Sequence, residues 1–389
     1  MSSAESDLPH AMPPLPDFVL LAETHPPPSG LDTDEILAAK ANNANALNGT
    51  EIWWQWYQPW LLKRRGYLLR PRYRPGWEPP AQVDPAERED CAEQTSVRVL
   101  DATRIIDGKH VLLKITHDDS HGDSERTILE YLWSPELRSD PRNHTVPLLD
   151  VFELPQNGGT VLVMPFLRAF DDPAFETVGE AVEFFRQIFE GVQFMHDRKI
   201  AHGDFAKGNI MYDASPMYPE GFHAIDTDRS RNWERKTKSF TRTQRPVCYV
   251  LIDFGTSVRI EEGDSGLVYP AHGRDYCSAP EHRPERVSNQ VPHDPFPADI
   301  YYLGNFIKTE FVEGRLGFEF MRELVDDMIK EDPAERPTMP VVVGRFHLIR
   351  WHLPWWTLRR PVDSRRDSAI VRVSRTARVV LLTQSAFWP

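Results

Sequence analysis

The chain has 389 residues, a net charge of −13, 40% hydrophobic and 26% charged residues, which is enough to bury a substantial core in two or three domains. The acidic balance argues against a general nucleic-acid binder, which would be basic, and no apolar run reaches the ~18 residues of a membrane helix. Cys91, Cys248 and Cys277 are too scattered for a disulfide or metal framework, and residues 1–7 lack the basic and apolar regions of a signal peptide, so a reducing cytoplasmic or nuclear setting is expected.

In chain order, residues 1–30 are rich in proline and acid, and residues 1–45 read as a disordered or loosely packed tail. The Ala-rich stretch 34–47 predicts a short helix capped by Asp32 or Thr33. Trp53, Trp54, Trp56, Tyr57 and Trp60 follow. They read as a segment burying apolar area on the next domain rather than as an exposed recognition platform. Residues 96–106 and 110–115 predict two strands joined by an Asp107-Gly108 hairpin turn. Residues 124–131 predict a helix, and 159–164 a buried strand. Val182, Phe185, Ile188, Phe189, Val192 and Met195 then recur at helical spacing, which places a boundary near 165–170. Residues 214–248 carry Arg229, Arg231, Arg235, Lys236, Lys238, Arg242 and Arg245, and read either as a docking surface for an acidic partner or as a mobile basic loop. The arginine-rich stretch 351–389 reads as a solvated basic tail.

Two segments carry chemistry. His202-Gly203-Asp204-Phe205-Ala206-Lys207-Gly208-Asn209 sets an Asp and an Asn five residues apart on a tight loop. Val250-Leu251-Ile252-Asp253-Phe254-Gly255 ends an apolar strand in a second carboxylate. Phosphoryl transfer needs one carboxylate to orient the attacking hydroxyl and oxygen donors to hold metal against phosphates. A charge buried at Asp253 would cost several kcal/mol unless paired or metal-bound, which makes it a candidate ligand. Upstream, Val111-Leu112-Leu113-Lys114 puts a lysine in mid-strand, unusual for a buried position. Glu125 is its natural partner on the following helix, with Glu130 the other choice. Downstream come Gly273-Arg274-Asp275-Tyr276-Cys277-Ser278-Ala279-Pro280-Glu281, Pro297-Ala298-Asp299-Ile300 and Glu331-Asp332-Pro333-Ala334-Glu335-Arg336.

In this order and spacing, over roughly residues 66–350, the chain resembles the protein kinase family. The resemblance implies an α+β, two-lobed protein-kinase-like fold, with a small β-rich N-lobe (46–165) and a larger helical C-lobe (166–350) that holds the insertion 214–248. It implies transfer of the ATP γ-phosphate to a protein Ser/Thr hydroxyl, with Mg²⁺. Asp204 would be the base, Lys114 and Glu125 would position the nucleotide, Met164 and Phe166 would line the adenine hinge, and Asn209 and Asp253 would hold magnesium. The implied partner is a protein substrate, with neither nucleic acid nor membrane. Asp299 would tie down the catalytic loop, and Arg336 would pair with Glu281.

The chain also departs from the family. No GxGxxG precedes Lys114. Its place is taken by Arg70-Pro71-Arg72-Tyr73-Arg74-Pro75, whose arginines could act on phosphates electrostatically but whose backbone cannot wrap them. Gly203 stands where an arginine usually precedes the base, so nothing there can clasp a phosphorylated activation loop. Lys207 lies one position later than the family's lysine. His-Gly-Asp also occurs in aminoglycoside- and choline-type small-molecule kinases, which are the first rival. A pseudokinase acting as a binding scaffold is the second.

Overall fold

The computed structural model describes residues 19–80, 88–91, 98–116, 125–269 and 279–385. The chain is mixed α/β and divides into two units that interleave along the sequence. The first comprises Met1–Asp118, Leu149–Phe166 and Phe222–Lys236; the second comprises Asp119–Leu148, Leu167–Gly221 and Thr237–Pro389. Residues 1–18, the start of the expected strand at 96–97, Ser124, and residues 273–278 of the downstream segment 273–281 lie outside the described residues. Among the described residues, no helix is long and apolar enough to cross a membrane.

The first unit is built on an antiparallel sheet in the order β1 (Tyr67–Leu69), β2 (Val99–Arg104), β3 (His110–Thr116), β5 (Thr160–Pro165), β4 (Asp150–Glu153). The expected hairpin is present: Val99 pairs with Lys114 and Thr103 with His110. Strand alternation sorts the side chains onto two faces. One face carries Leu100, Ala102, Val111, Leu113, Ile115, Val161 and Val163, all buried in one cluster with Trp54, Tyr57, Trp60 and Leu61. These last come from α3 (Gly49–Trp60) and the π-helical turn after it, so the tryptophan run is core, as its composition suggested. Helix α3 follows two shorter ones, α1 (Val19–Thr24) and α2 (Asp34–Asn42). Thr33 caps α2, as expected, by accepting from Ile36 N–H. Asn48 and Glu51 cap the first turn of α3 reciprocally.

The second unit is mainly helical. Its long α5 (Val178–Asp197) buries the predicted face, including Val182, Phe185, Ile188, Phe189, Val192 and Met195. Phe170, Phe175, Phe311 and Phe318 pack with its Phe184 and Phe185 and with one another at ring separations of 5–6.4 Å. Before α5 come α4 (Glu125–Leu132) and β6 (Arg168–Ala169). After it come β7 (Ile200–Ala201), β8 (Ile210–Tyr212), β9 (Tyr249–Leu251) and β10 (Val258–Arg259), forming a β6-β8-β9 sheet and a β7-β10 pair. The remaining helices are α6 (Pro284–Ser288), α7 (Pro295–Ile307), α8 (Arg322–Met328), α9 (Met339–His352), α10 (Trp355–Leu358) and α11 (Ala369–Ser385). The basic tail is therefore not a plain solvated coil. Arg375 bonds Asp363 at 2.9 Å and Asp367 at 2.6 Å, tying α11 to the segment before it.

Candidate functional site

The turn between β7 and β8 is fixed from below by one buried carboxylate. Asp299, on α7, accepts from His202 N–H and Gly203 N–H, both at 2.8 Å, and from His196 Nε2 at 3.0 Å. Three donors on one buried carboxylate hold the loop against the helix. Gly203 sits at φ +79, a left-handed conformation that a side chain would strain.

His202 is fully buried between Phe205 and Phe254, with ring separations of 4.8 and 5.1 Å. Its Nδ1 accepts the Asp204 N–H at 3.3 Å, which leaves Nε2–H to donate to Ile252 O at 3.0 Å. Burial pushes its pKa down, while Asp299 and the Ile252 carbonyl oppose the shift. The ring is thus a neutral brace for the loop. Two further hydroxyls, Thr256 Oγ1 at 3.2 Å and Ser257 Oγ at 2.9 Å, donate to His202 O.

Above this brace, Asn209 and Asp204 meet. Asn209 Nδ2 donates to Asp204 O at 3.1 Å and to Asp204 Oδ2 at 2.9 Å. A carboxylate only accepts, so it fixes which end of the amide faces it and turns Asn209 Oδ1 away. Ile252 N–H donates to Asn209 O at 3.0 Å, bringing Asp253 alongside. Asp253 has φ +64, rare for a residue with a side chain and costing on the order of 1–3 kcal/mol that its surroundings must offset. Its carboxylate is exposed rather than buried. In water, Asp253 carries no desolvation cost, contrary to the expectation from its apolar strand, and its backbone conformation is what singles it out. Glu125, buried at the start of α4, joins this group by accepting the Phe254 N–H at 3.2 Å.

Asp204, Asn209, Asp253 and Glu125 thus form one constellation in the second unit. Lys114, Met164 and Phe166 lie in the first. There, Leu112 pairs with Met164 and Lys114 with Leu162, so these side chains share the sheet face opposite the tryptophan core. Among the described residues, no cluster of three or more His, Cys, Asp or Glu side chains could hold a metal ion. Magnesium, however, commonly takes one or two protein oxygens and completes its shell with phosphates and water. Asp253 and Asn209 Oδ1 fit that role.

Three features were not legible in the sequence. Arg70 and Arg72 are buried. Arg72 makes a bidentate pair with Glu51 at 2.6 and 2.9 Å, and Arg70 bonds Asp101 at 2.9 Å. Neither arginine is therefore a substitute for a glycine loop. Asp101 and His110, which bond at 3.1 Å, lie on the Lys114 face. Burial raises the Asp101 pKa, but Arg70 and His110 outweigh it and hold the group at about 2. Second, Phe222–Lys236, from the insertion, covers the His110 end of that face. Arg231 donates to Gly108 O at 2.9 Å and to Thr103 Oγ1 at 2.6 Å, and Phe222 packs 5.8 Å from Phe166. A cavity of about 340 Å³ remains there, lined by Arg70, Arg74, Asp101, His110, His223 and Arg231. Third, Lys207 pairs with Asp171 at 2.6 Å and Glu310 at 3.4 Å.

The chain matches no protein-family model and no curated protein.

Proposed function

We propose that the chain is a protein-kinase-like phosphotransferase of two lobes, moving the γ-phosphate of ATP to a Ser or Thr hydroxyl of a protein. The observation that carries this reading is the Asp204–Asn209–Asp253 constellation, with Asp253 held at φ +64. Asp204 has one carboxylate oxygen bonded by the Asn209 amide, which orients the group to accept the proton of the incoming hydroxyl. Asn209 Oδ1 and Asp253 would hold magnesium, which when bound neutralises charge developing on the phosphates. Lys114 would hold the nucleotide phosphates with Glu125 as its partner, and Met164 and Phe166 would flank the adenine.

A second reading, a binding scaffold without catalysis, is favoured by one observation. The Lys114 face carries the Arg70–Asp101–His110 network, with Arg70 and Asp101 buried, and Phe222–Lys236 covers its His110 end. The two readings are separated by Mg²⁺-dependent ATP binding followed by radiolabel transfer to generic protein substrates and to the chain itself. Asp204→Asn should keep the fold and lower transfer by roughly 10²–10⁴-fold, the range for a positioned base. Transfer unchanged in both Asp204→Asn and Asp253→Asn would end the phosphotransferase reading. Nucleotide bound without transfer would leave the scaffold.

A further inference from the structure

From residue 336 to residue 362 the chain carries five arginines and two histidines and no Asp or Glu. The overall charge is −13, so this stretch opposes the sign of the whole. Part of it is structural: Arg336 is buried on Glu281, Arg345 bonds Asp327 at 2.7 Å, and Arg350 lies 3.9 Å from Glu183. The rest is surface. Met339, Val342 and Phe346 turn one face of α9 inward. Val341, Leu348 and Trp351, at helical spacing, leave the opposite face apolar and in water. Leu348 is 62% exposed, Trp351 86%, and Trp355 and Trp356 on α10 are 63% and 59% exposed. Three indoles of this size leave on the order of 500 Å² of aromatic surface in water. Patches of roughly that area on a monomer are often functional. Arg359 and Arg360 are exposed beside them, and Arg359 sits 4.9 Å over the Trp355 ring.

We propose that this surface of α9 and α10 docks on an anionic lipid surface. The chemistry matches on both counts. Indoles are the side chains that settle at the headgroup level, where an apolar ring and a polar N–H are both accommodated. Exposed arginines beside them, with no carboxylate in the same stretch, complement an anionic leaflet. At 86% exposure Trp351 stands out from the surface, a shape suited to a deformable headgroup layer. The proposal does not depend on phosphotransfer. It departs from the expectation of no membrane partner, which rested on the absence of a spanning segment.

The test uses the full chain in sedimentation with phosphatidylcholine vesicles, with and without a third of phosphatidylserine. The chain should partition to the anionic vesicles at least tenfold better than to the neutral ones. Trp351→Ser, Trp355→Ser and Trp356→Ser combined, with the fold checked by circular dichroism, should lower that partition by about tenfold or more. Arg359→Gln and Arg360→Gln should each lower it roughly fivefold, and only on the anionic vesicles. Equal partition to both vesicles, or equal partition of wild type and the tryptophan variant, would overturn the proposal. So would an absence of vesicle binding together with self-association that the tryptophan variant loses, which would make the surface a contact between copies or with a protein.

Discussion

At the scale of single residues, His202 is the piece on which the 202–209 loop turns, and it works only when neutral. Its Nδ1 must accept from Asp204 N–H, and protonation would replace that acceptor with a second donor. Burial lowers its folded pKa from the ordinary 6.5. The folded state then binds fewer protons than the unfolded state below that value. The stabilisation is complete above pH 6.5 and is lost as pH falls through the depressed folded pKa. The half-buried His110 and the buried His144 are also shifted down by desolvation, so the acid limb sums several groups. Replacing His202→Gln, whose amide can accept and donate in the same places, should flatten the fall in stability between pH 6.5 and 5. The limit is one proton's share, about 1.4 kcal/mol per pH unit. Denaturant midpoints measured across that range decide it: identical slopes for variant and wild type would show that His202 does not titrate with folding. Asp204 and Asn209 were readable because they bond each other within one loop. Asp101 was not, because its guanidinium comes from Arg70, 31 residues away in sequence, and nothing local marks an acid in a strand as paired.

At the scale of elements, the same division holds. Helix α5 and the β2–β3 hairpin carry their own period and turn, so their sequences predict them. The insertion has no period. It takes its form from long-range contacts that spend its basic residues. Arg242 stacks on Phe175 and Tyr212 at 4.7 and 5.0 Å, and Arg229 lies 4.9 Å over Trp233. Arg231, whose pKa burial lowers, holds Phe222–Lys236 to the hairpin through neutral acceptors. A basic stretch that looked like a mobile loop or an open docking surface is therefore partly a packed one. Arg231→Gln removes both contacts and should free the segment. Tryptic cleavage at Arg235 and Lys236, both exposed, should then quicken by about tenfold. If the phosphotransferase reading holds, Mg-ATP should bind several-fold more tightly to this variant than to wild type. Unchanged cleavage would mean that the segment is held by other contacts, Phe222 and His223 among them.

At the scale of the whole chain, each unit has its own means of cohesion. The first rests on the tryptophan-lined sheet face and on the buried Glu51–Arg72 pair. The second rests on the phenylalanine cluster around α5 and on a buried pair near the late helices. Arg336 bonds Glu281 at 2.6 and 3.0 Å, and the same guanidinium reaches Lys330 O at 2.8 Å, Pro297 O at 2.8 Å and Glu331 O at 3.3 Å. It also lies 4.9 Å from the Tyr301 ring. With its donors this fully used, the ion pair recovers most of its desolvation cost, but neither partner tolerates loss of the other. Arg336→Ala should therefore cost on the order of 3–5 kcal/mol. In a unit of this size that corresponds to a thermal midpoint lower by roughly 10 °C. Glu281→Ala should give a similar loss. Arg336→Met combined with Glu281→Leu, which removes both charges and keeps apolar volume, should recover much of it. The check is thermal melting followed by circular dichroism, with hydrogen exchange read at the amides of α7 and α8. A midpoint for Arg336→Ala equal to that of wild type would show that the pair contributes nothing. A double variant no better than either single one would show that the backbone contacts of Arg336, rather than its charge, hold this part of the chain together.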